Sequence, residues 1–312
     1  MFRSLTALCL FLFVSLHGPA HAAEAPAGDG RPVAVVVSLP AQKYLVERIA
    51  GDAASVTTLL QKGADPHSFE PTPAQMRAVA EARFYFTIGL PFEKAWLPRL
   101  AGAAPNLKVV DMTAGIKRLS SDEDAERAAE LGLRPHVEAH GGHDHDHGED
   151  PHVWLSPMLV RAMIPNIVKA LAAERPGDAA RFRAAAKTLD DELQALDAEL
   201  AGVFAPFPKE KRVFLTMHPA WTYFAHNYDL VELSVETDGK EPGPADMKNI
   251  VDLARKLGLR TVFVEPQFPK AAAEAVAANI GANVVTVDPL AENLPEMWRA
   301  TAAALAASFE GK

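Results

Sequence analysis

Two α/β lobes with mostly parallel sheets flanked by helices, bridged by one long rigid helix, are the fold that this sequence predicts. Three observations predict it. Short apolar runs alternate with helical stretches in the first third of the chain, as βαβ units require. A segment of unusual regularity follows near the middle. The alternation then restarts and runs to the end.

Residues 32–39, PVAVVVSL, form a continuous apolar run, the pattern of a strand buried on both faces of a parallel sheet. Residues 42–50 suit a helix closed by Gly51, and 56–60 a second strand that leads into GADPHSFEPTP at 63–73. Then come a helix over 73–82, a strand over 84–88, a helix over 92–100 and a strand over 107–112. Polar residues at 120–130 and a His-rich tract interrupt the rhythm before a helix at 158–174. Over 177–204, Phe182, Ala186, Leu189, Leu193, Leu196, Leu200 and Val203 recur at alternating spacings of four and three, with charges between them. Pro176 and Pro206 bound that segment. A helix of about 26 residues is about 39 Å long, more than a βαβ crossover needs, so it reads as a strut. Beyond it come strands at 213–217, 230–235, 261–265 and 283–287 and helices at 219–227, 243–258, 270–280 and 294–308. The expected organisation is an N-terminal lobe over 32–176, a linking helix over 177–204 and a C-terminal lobe over 205–312.

The 312 residues are 49% hydrophobic but only 7% aromatic, and the net charge of -9 argues against nucleic acid as a partner. Arg3, an apolar stretch at 5–16 and Ala20-His21-Ala22 make a cleaved signal peptide over 1–22, followed by a mobile leader over 23–31. The apolar stretch is too short to span a bilayer, and no later run approaches the roughly 20 residues needed. The single cysteine, Cys9, leaves with the signal. The mature chain then has no disulfide and no thiolate, so any metal is held by His and carboxylates.

The stretch 136–157 concentrates His136, His140, His143, His145, His147 and His152 among acids and glycines. Imidazole is a borderline-soft donor, which suits zinc, copper or nickel better than calcium or magnesium. His152 differs from the others in following Pro151 and preceding an apolar run. His67 likewise sits in Asp-Pro-His, and His218 and Asp288 directly follow strands and precede prolines. In open α/β sheets ligands bind at the carboxyl ends of strands, so His67, His152, His218 and Asp288 could converge on a cleft between the lobes. Glu236 and Glu265, at or near strand ends, are candidate hydrogen-bond partners for ligand imidazoles.

GADPHSFEPTP at 63–73, DPHVWLSP at 150–157, HPAWTYF at 218–224 and VDPL at 287–290 resemble the metal-binding solute-binding proteins of ABC importers, the ZnuA/TroA-like group. The resemblance spans nearly the whole mature chain. It implies two lobes bridged by one long helix, a metal between them, and His67, His152, His218 and Asp288 as ligands. It further implies a monomeric periplasmic protein that captures zinc and delivers it to an ABC membrane permease, with 136–148 as an accessory metal loop. Manganese or iron is the alternative ion, because Asp288 offers a hard oxygen, but a third imidazole favours zinc. A zinc-dependent hydrolase with Glu70 or Glu265 as base is a different class of reading. No H-E-x-x-H motif supports it. A metal buffer without a permease has the same binding chemistry.

Overall fold

The computed structural model describes residues 31–61, 63–119, 149–236 and 242–311. The expected signal peptide, the leader apart from Arg31, and His136, His140, His143, His145 and His147 lie outside the described residues.

The first sheet comprises β1 (Val33–Val37), β2 (Ala54–Thr58), β3 (Phe84–Thr87) and β4 (Lys108–Asp111), all parallel, in the order β2-β1-β3-β4. The second comprises β5 (Val213–Thr216), β6 (Val231–Ser234), β7 (Thr261–Val264) and β8 (Asn283–Thr286), again all parallel, in the order β6-β5-β7-β8. The two orders are the same. Burial follows position in the sheet. Of the inner strands, β3, β5 and β7 are buried at every residue and β1 from Val35 on, whereas the outer strands β4 and β8 are exposed or half-buried. That is why the inner strands read as unbroken apolar runs.

Four helices flank the first sheet or its loops, namely α1 (Pro40–Ala50), α2 (Pro73–Glu81), α3 (Pro91–Ala103) and α4 (Pro157–Glu174). Helix α5 (Ala179–Phe204) then connects to α6 (Thr222–Asn227), α7 (Pro244–Lys256), α8 (Lys270–Ile280) and α9 (Leu294–Glu310). Helix α5 runs 26 residues and buries Phe182, Ala186, Leu189, Leu193, Leu196, Leu200 and Phe204. The final buried position is Phe204 rather than the expected Val203, which is only half-buried. A strict seven-residue spacing drifts against a 3.6-residue turn, so the stripe rotates by the last turn.

Helix α5 packs on α1 and α4 from the first half and on α9 from the second. Its rim carries Arg48–Glu192, Arg161–Asp190 and Arg299–Glu199, each at 2.7 Å. Such partly exposed pairs contribute at most about 1 kcal/mol each, so the apolar stripe dominates. One apolar core runs from the first sheet through α5 to Phe214, Trp221, Trp298 and Phe309. A second, smaller cluster fills the other face of the second sheet.

The segment ahead of α4 is stitched to the second half. Trp154 Nε1–H donates to the Pro289 carbonyl at 2.8 Å, and Trp298 Nε1–H to the Leu155 carbonyl at 2.9 Å. The Tyr223 hydroxyl donates to the Asp150 carbonyl at 2.9 Å, and the Asn227 amide to Ser156 Oγ at 2.8 Å. Among the described residues no helix is long and apolar enough to cross a membrane.

Candidate metal centre

Each sheet has a crevice where the chain connections diverge, between β1 and β3 in the first and between β5 and β7 in the second. His218 leaves the end of β5 at the second crevice. The expected helix over 219–227 begins only at Thr222, because the chain first turns, with Ala220 N–H donating to the His218 carbonyl at 3.0 Å. His67 lies in the turn after β2, and His152 immediately precedes the 3-10 turn Val153–Leu155 that leads into α4.

These three histidines meet. Their ring centroids are 4.8 Å apart for His67–His218 and 5.4 Å for both His67–His152 and His152–His218. One ligating atom from each lies within 4.8 Å of the other two. His152 and His218 are buried, at 5% and 6% exposure, and His67 is the one open to solvent.

Two rings are clamped from behind. His152 Nδ1 is 2.7 Å from Asp150 Oδ1, and His218 Nδ1 is 2.9 Å from Glu236 Oε2. An ionised carboxylate only accepts, so each Nδ1–H donates to its carboxylate and each Nε2 is turned away from it. Phe268 stacks on the His218 ring at 5.1 Å and fixes its plane. Glu236, one of the two candidate partners named from the sequence, is thus hydrogen-bonded to the His218 ring.

Asp288 does not join the three histidines. The group of described residues able to share an ion contains His67, His152 and His218. Asp288 Oδ1 instead accepts from the Leu290 amide at 3.0 Å and from Gln267 Nε2 at 3.1 Å. The reason lies in a repeated turn. Asp65 Oδ1 accepts from the His67 amide at 2.9 Å and Asp150 Oδ1 from the His152 amide at 2.8 Å, so all three Asp-Pro-X sequences close the same side-chain turn. In two of them residue X is a histidine aimed at the centre. In the third it is Leu290, and the aspartate braces the turn.

The electrostatics favour unprotonated nitrogen. The protein around His67, and then His152 and His218, push its imidazole down to about 4, against the pull of Asp65 and Asp150. Burial opposes ionisation of Asp65, but hydrogen bonds from Ser68 and the His67 amide hold its carboxyl below the ordinary value. Glu265, which ends β7 at the same crevice, behaves differently. Burial, and then the charge of Glu236, raise its carboxyl to about 8 despite its own backbone amide. Glu265 is 1% exposed, and both of its carboxyl oxygens lack a hydrogen-bond partner among the described residues, the three imidazoles included. A cavity of about 20 Å³ lies here, lined by His67, Trp154, His218, Glu265, Gln267 and Phe268 among others. That volume suits one water or one ion.

Sequence reasoning missed Asp150 and Gln267. Asp150 was visible in the repeated Asp-Pro-His, because an aspartate two residues before a histidine can reach both its amide and its ring. Gln267 carried no signal, since its contact with Asp288 depends on how two loops meet.

A sequence profile described as ZnuA, zinc-uptake complex component A, periplasmic, matches residues 35–308. A crystal structure of ZnuA superposes with a TM-score of 0.78 at 35% identity, covering 89% of this chain and 99% of that one. The manganese-binding lipoprotein MntA of Halalkalibacterium halodurans is 27% identical over 258 residues, 82% of this chain and 78% of its own length. The zinc-binding lipoprotein AdcA of Streptococcus pneumoniae serotype 4 is 26% identical over 301 residues, 94% of this chain and 55% of its own. The chain belongs to the ZnuA family, whose members are substrate-binding proteins of ABC importers and not enzymes.

Proposed function

We propose that this protein captures zinc in the cleft between its two sheets and passes it to the permease of an ABC importer. The observation that carries the reading is the meeting of His67, His152 and His218, with two Nδ1 atoms tied to carboxylates. Three nitrogen donors make a site softer than manganese prefers and well matched to zinc. The manganese-binding relative keeps manganese as the second reading, through oxygen donors such as Asp288 or Glu265. Donor atoms around a four-coordinate zinc lie roughly 3.3–3.6 Å apart for bonds of 2.0–2.2 Å. The three nitrogens lie within 4.8 Å of one another, so they draw together by about 1.5 Å at most.

In this reading the ion takes a nitrogen lone pair from each imidazole, so protonation of the rings at low pH competes with it. Asp150 and Glu236 hold the lone pairs inward and stabilise the charge that the ion brings. The rest of the reading is organisational. Residues 1–22 export the chain to the periplasm and are removed, and 23–31 form a leader. The first lobe extends over 32–176, the strut over 177–204 and the second lobe over 205–312. The chain works as a monomer, and His136, His140, His143, His145 and His147 in the loop 136–148 gather further zinc weakly.

The test is zinc calorimetry with a competing chelator. His152→Ala and His218→Ala should each abolish tight one-to-one binding. Tight binding retained in either variant defeats the three-histidine site.

A further inference from the structure

The second crevice holds a surplus of hydrogen-bond acceptors. Both carboxylate oxygens of Glu265, Gln267 Oε1 and His218 Nε2 are buried with no hydrogen-bond partner among the described residues. All three residues line the cavity of about 20 Å³. The orientation of Gln267 is fixed chemically. Asp288 can only accept, so the Gln267 amide must present its N–H₂ there and its oxygen elsewhere. His218 is oriented likewise, because its Nδ1–H donates to Glu236. Four buried polar atoms thus lack a partner in one small enclosed space. A divalent cation can draw on lone pairs from all three side chains.

We propose that Glu265 is the anionic oxygen ligand of the bound ion, joining His67, His152 and His218, with Gln267 Oε1 beside it and Asp288 outside the coordination shell. The inference rests on the three-histidine reading and names the donor that completes it.

Strand register explains why Glu265 and His218 act together. Strands β5 and β7 are parallel neighbours, paired Leu215↔Val262 and Thr216↔Phe263. Two residues further along each strand direction lie His218 and Glu265, on the same face as that last pair. They are the first side chains on that face beyond the sheet edge. The Glu265 carboxylate is outside the compact group of three nitrogens, so the assignment requires its two-carbon stem to turn toward the ion on binding. Its negative charge offsets half of a divalent ion's charge, which three neutral imidazoles leave untouched. An isolated carboxylate in an apolar wall is unfavourable. A divalent ion supplies its missing partner.

The experiment compares Glu265→Gln, Glu265→Leu and Asp288→Asn with the wild type and with His152→Ala. Zinc and manganese affinities are measured by chelator competition, and coordination by the visible absorption of bound cobalt(II). Glu265→Leu should weaken zinc by at least the roughly 10- to 100-fold that even an outer partner of a ligand contributes. Manganese, which depends more on oxygen, should weaken further, and the cobalt bands should change. Glu265→Gln should fall between Leu and wild type. The metal-free melting temperature of both should stay level or rise, which separates ligand loss from unfolding. Asp288→Asn should bind close to the wild type. If Glu265→Leu binds both ions and absorbs like wild type, or if Asp288→Asn loses as much affinity, the assignment is wrong. Retained tight binding by His152→Ala instead removes the three-histidine site itself.

Discussion

The two crevices share a strand order and each contains a buried glutamate, yet they end in opposite states. In the first, Glu93 accepts from the Ser38 hydroxyl, from the Ile88 amide at 3.0 Å, from Gly89 at 2.6 Å and from Leu90 at 3.0 Å. Ser38 is in turn 2.8 Å from the Tyr85 hydroxyl. Gly89 has φ +88°, and the Arg118 guanidinium occupies the space that a Cβ would take. That crevice is plugged by its own residues. In the second, Glu265 ends β7 with both oxygens unpartnered among the described residues. A binding place is therefore marked by unmet hydrogen-bonding capacity at the switch point, beyond the topology alone.

The sharpest way to break this contrast is to empty each glutamate in turn. Glu93→Leu leaves a hydroxyl and three backbone amides without their acceptor, and at 1–3 kcal/mol for each stranded group it should cost about 4 kcal/mol or more. Urea denaturation of the metal-free protein measures it. Glu265→Leu strands no donor and should not lower that stability. Equal losses in the two variants would show that both crevices are structural.

A smaller effect is expected one layer behind the histidines. Glu236→Gln keeps the size of the side chain but weakens the hold on His218 Nδ1, which should reduce zinc affinity about 10- to 100-fold, read by chelator competition. Asp150→Asn should do the same through His152. A glutamate of the plugged crevice, changed to Gln, should leave zinc affinity alone. An unaffected Glu236→Gln would mean that ring orientation comes from Phe268 stacking and not from the carboxylate.

The smallest effect is a slope with pH. Glu265 in the fold stays protonated up to about 8, whereas in the unfolded chain it ionises near 4.5. Between those values the native state binds more protons, so stability falls as pH rises, by at most about 1.4 kcal/mol per unit. His67 acts oppositely below its unfolded value. Its folded imidazole stays neutral down to about 4 while the unfolded one protonates near 6.5, so stability rises with pH across that window. Of these two slopes, that of Glu265 alone continues from about 6.5 to 8. Metal-free protein should lose stability over that interval, and Glu265→Gln should flatten the loss in chemical denaturation at fixed pH values.

Much of this was legible in the chain. The inner strands announced themselves as apolar runs because both their faces are covered, and α5 announced itself by a stripe that three other helices bury. The three histidines were legible because each sits beside a proline at a strand end or loop. Asp288 shared that signature and lay outside the cluster, since Asp-Pro-X describes a turn and says nothing about which of its residues faces an ion. The contrast between Glu93 and Glu265 was not legible. It depends on which amides the loop after β3 presents and on β5 lying beside β7, and both are properties of assembled sheets.

The stitches around residues 150–156 bear on how fast cargo can leave. With Trp154, Trp298, Tyr223 and Asn227 tying that segment to the second half, and α5 packed against both halves, His152 and His218 belong to one rigid wall. Swinging the lobes apart would sever those bonds together. His67 stands on the other side, solvent-exposed, on a turn held by Asp65 and Ser68. In the proposed site the escape of an ion is then a local event at that turn, and residence time follows the opening of a few residues. A permease that disturbs the Asp65–Ser68 turn alone could shorten the dwell of the ion without unfolding anything else.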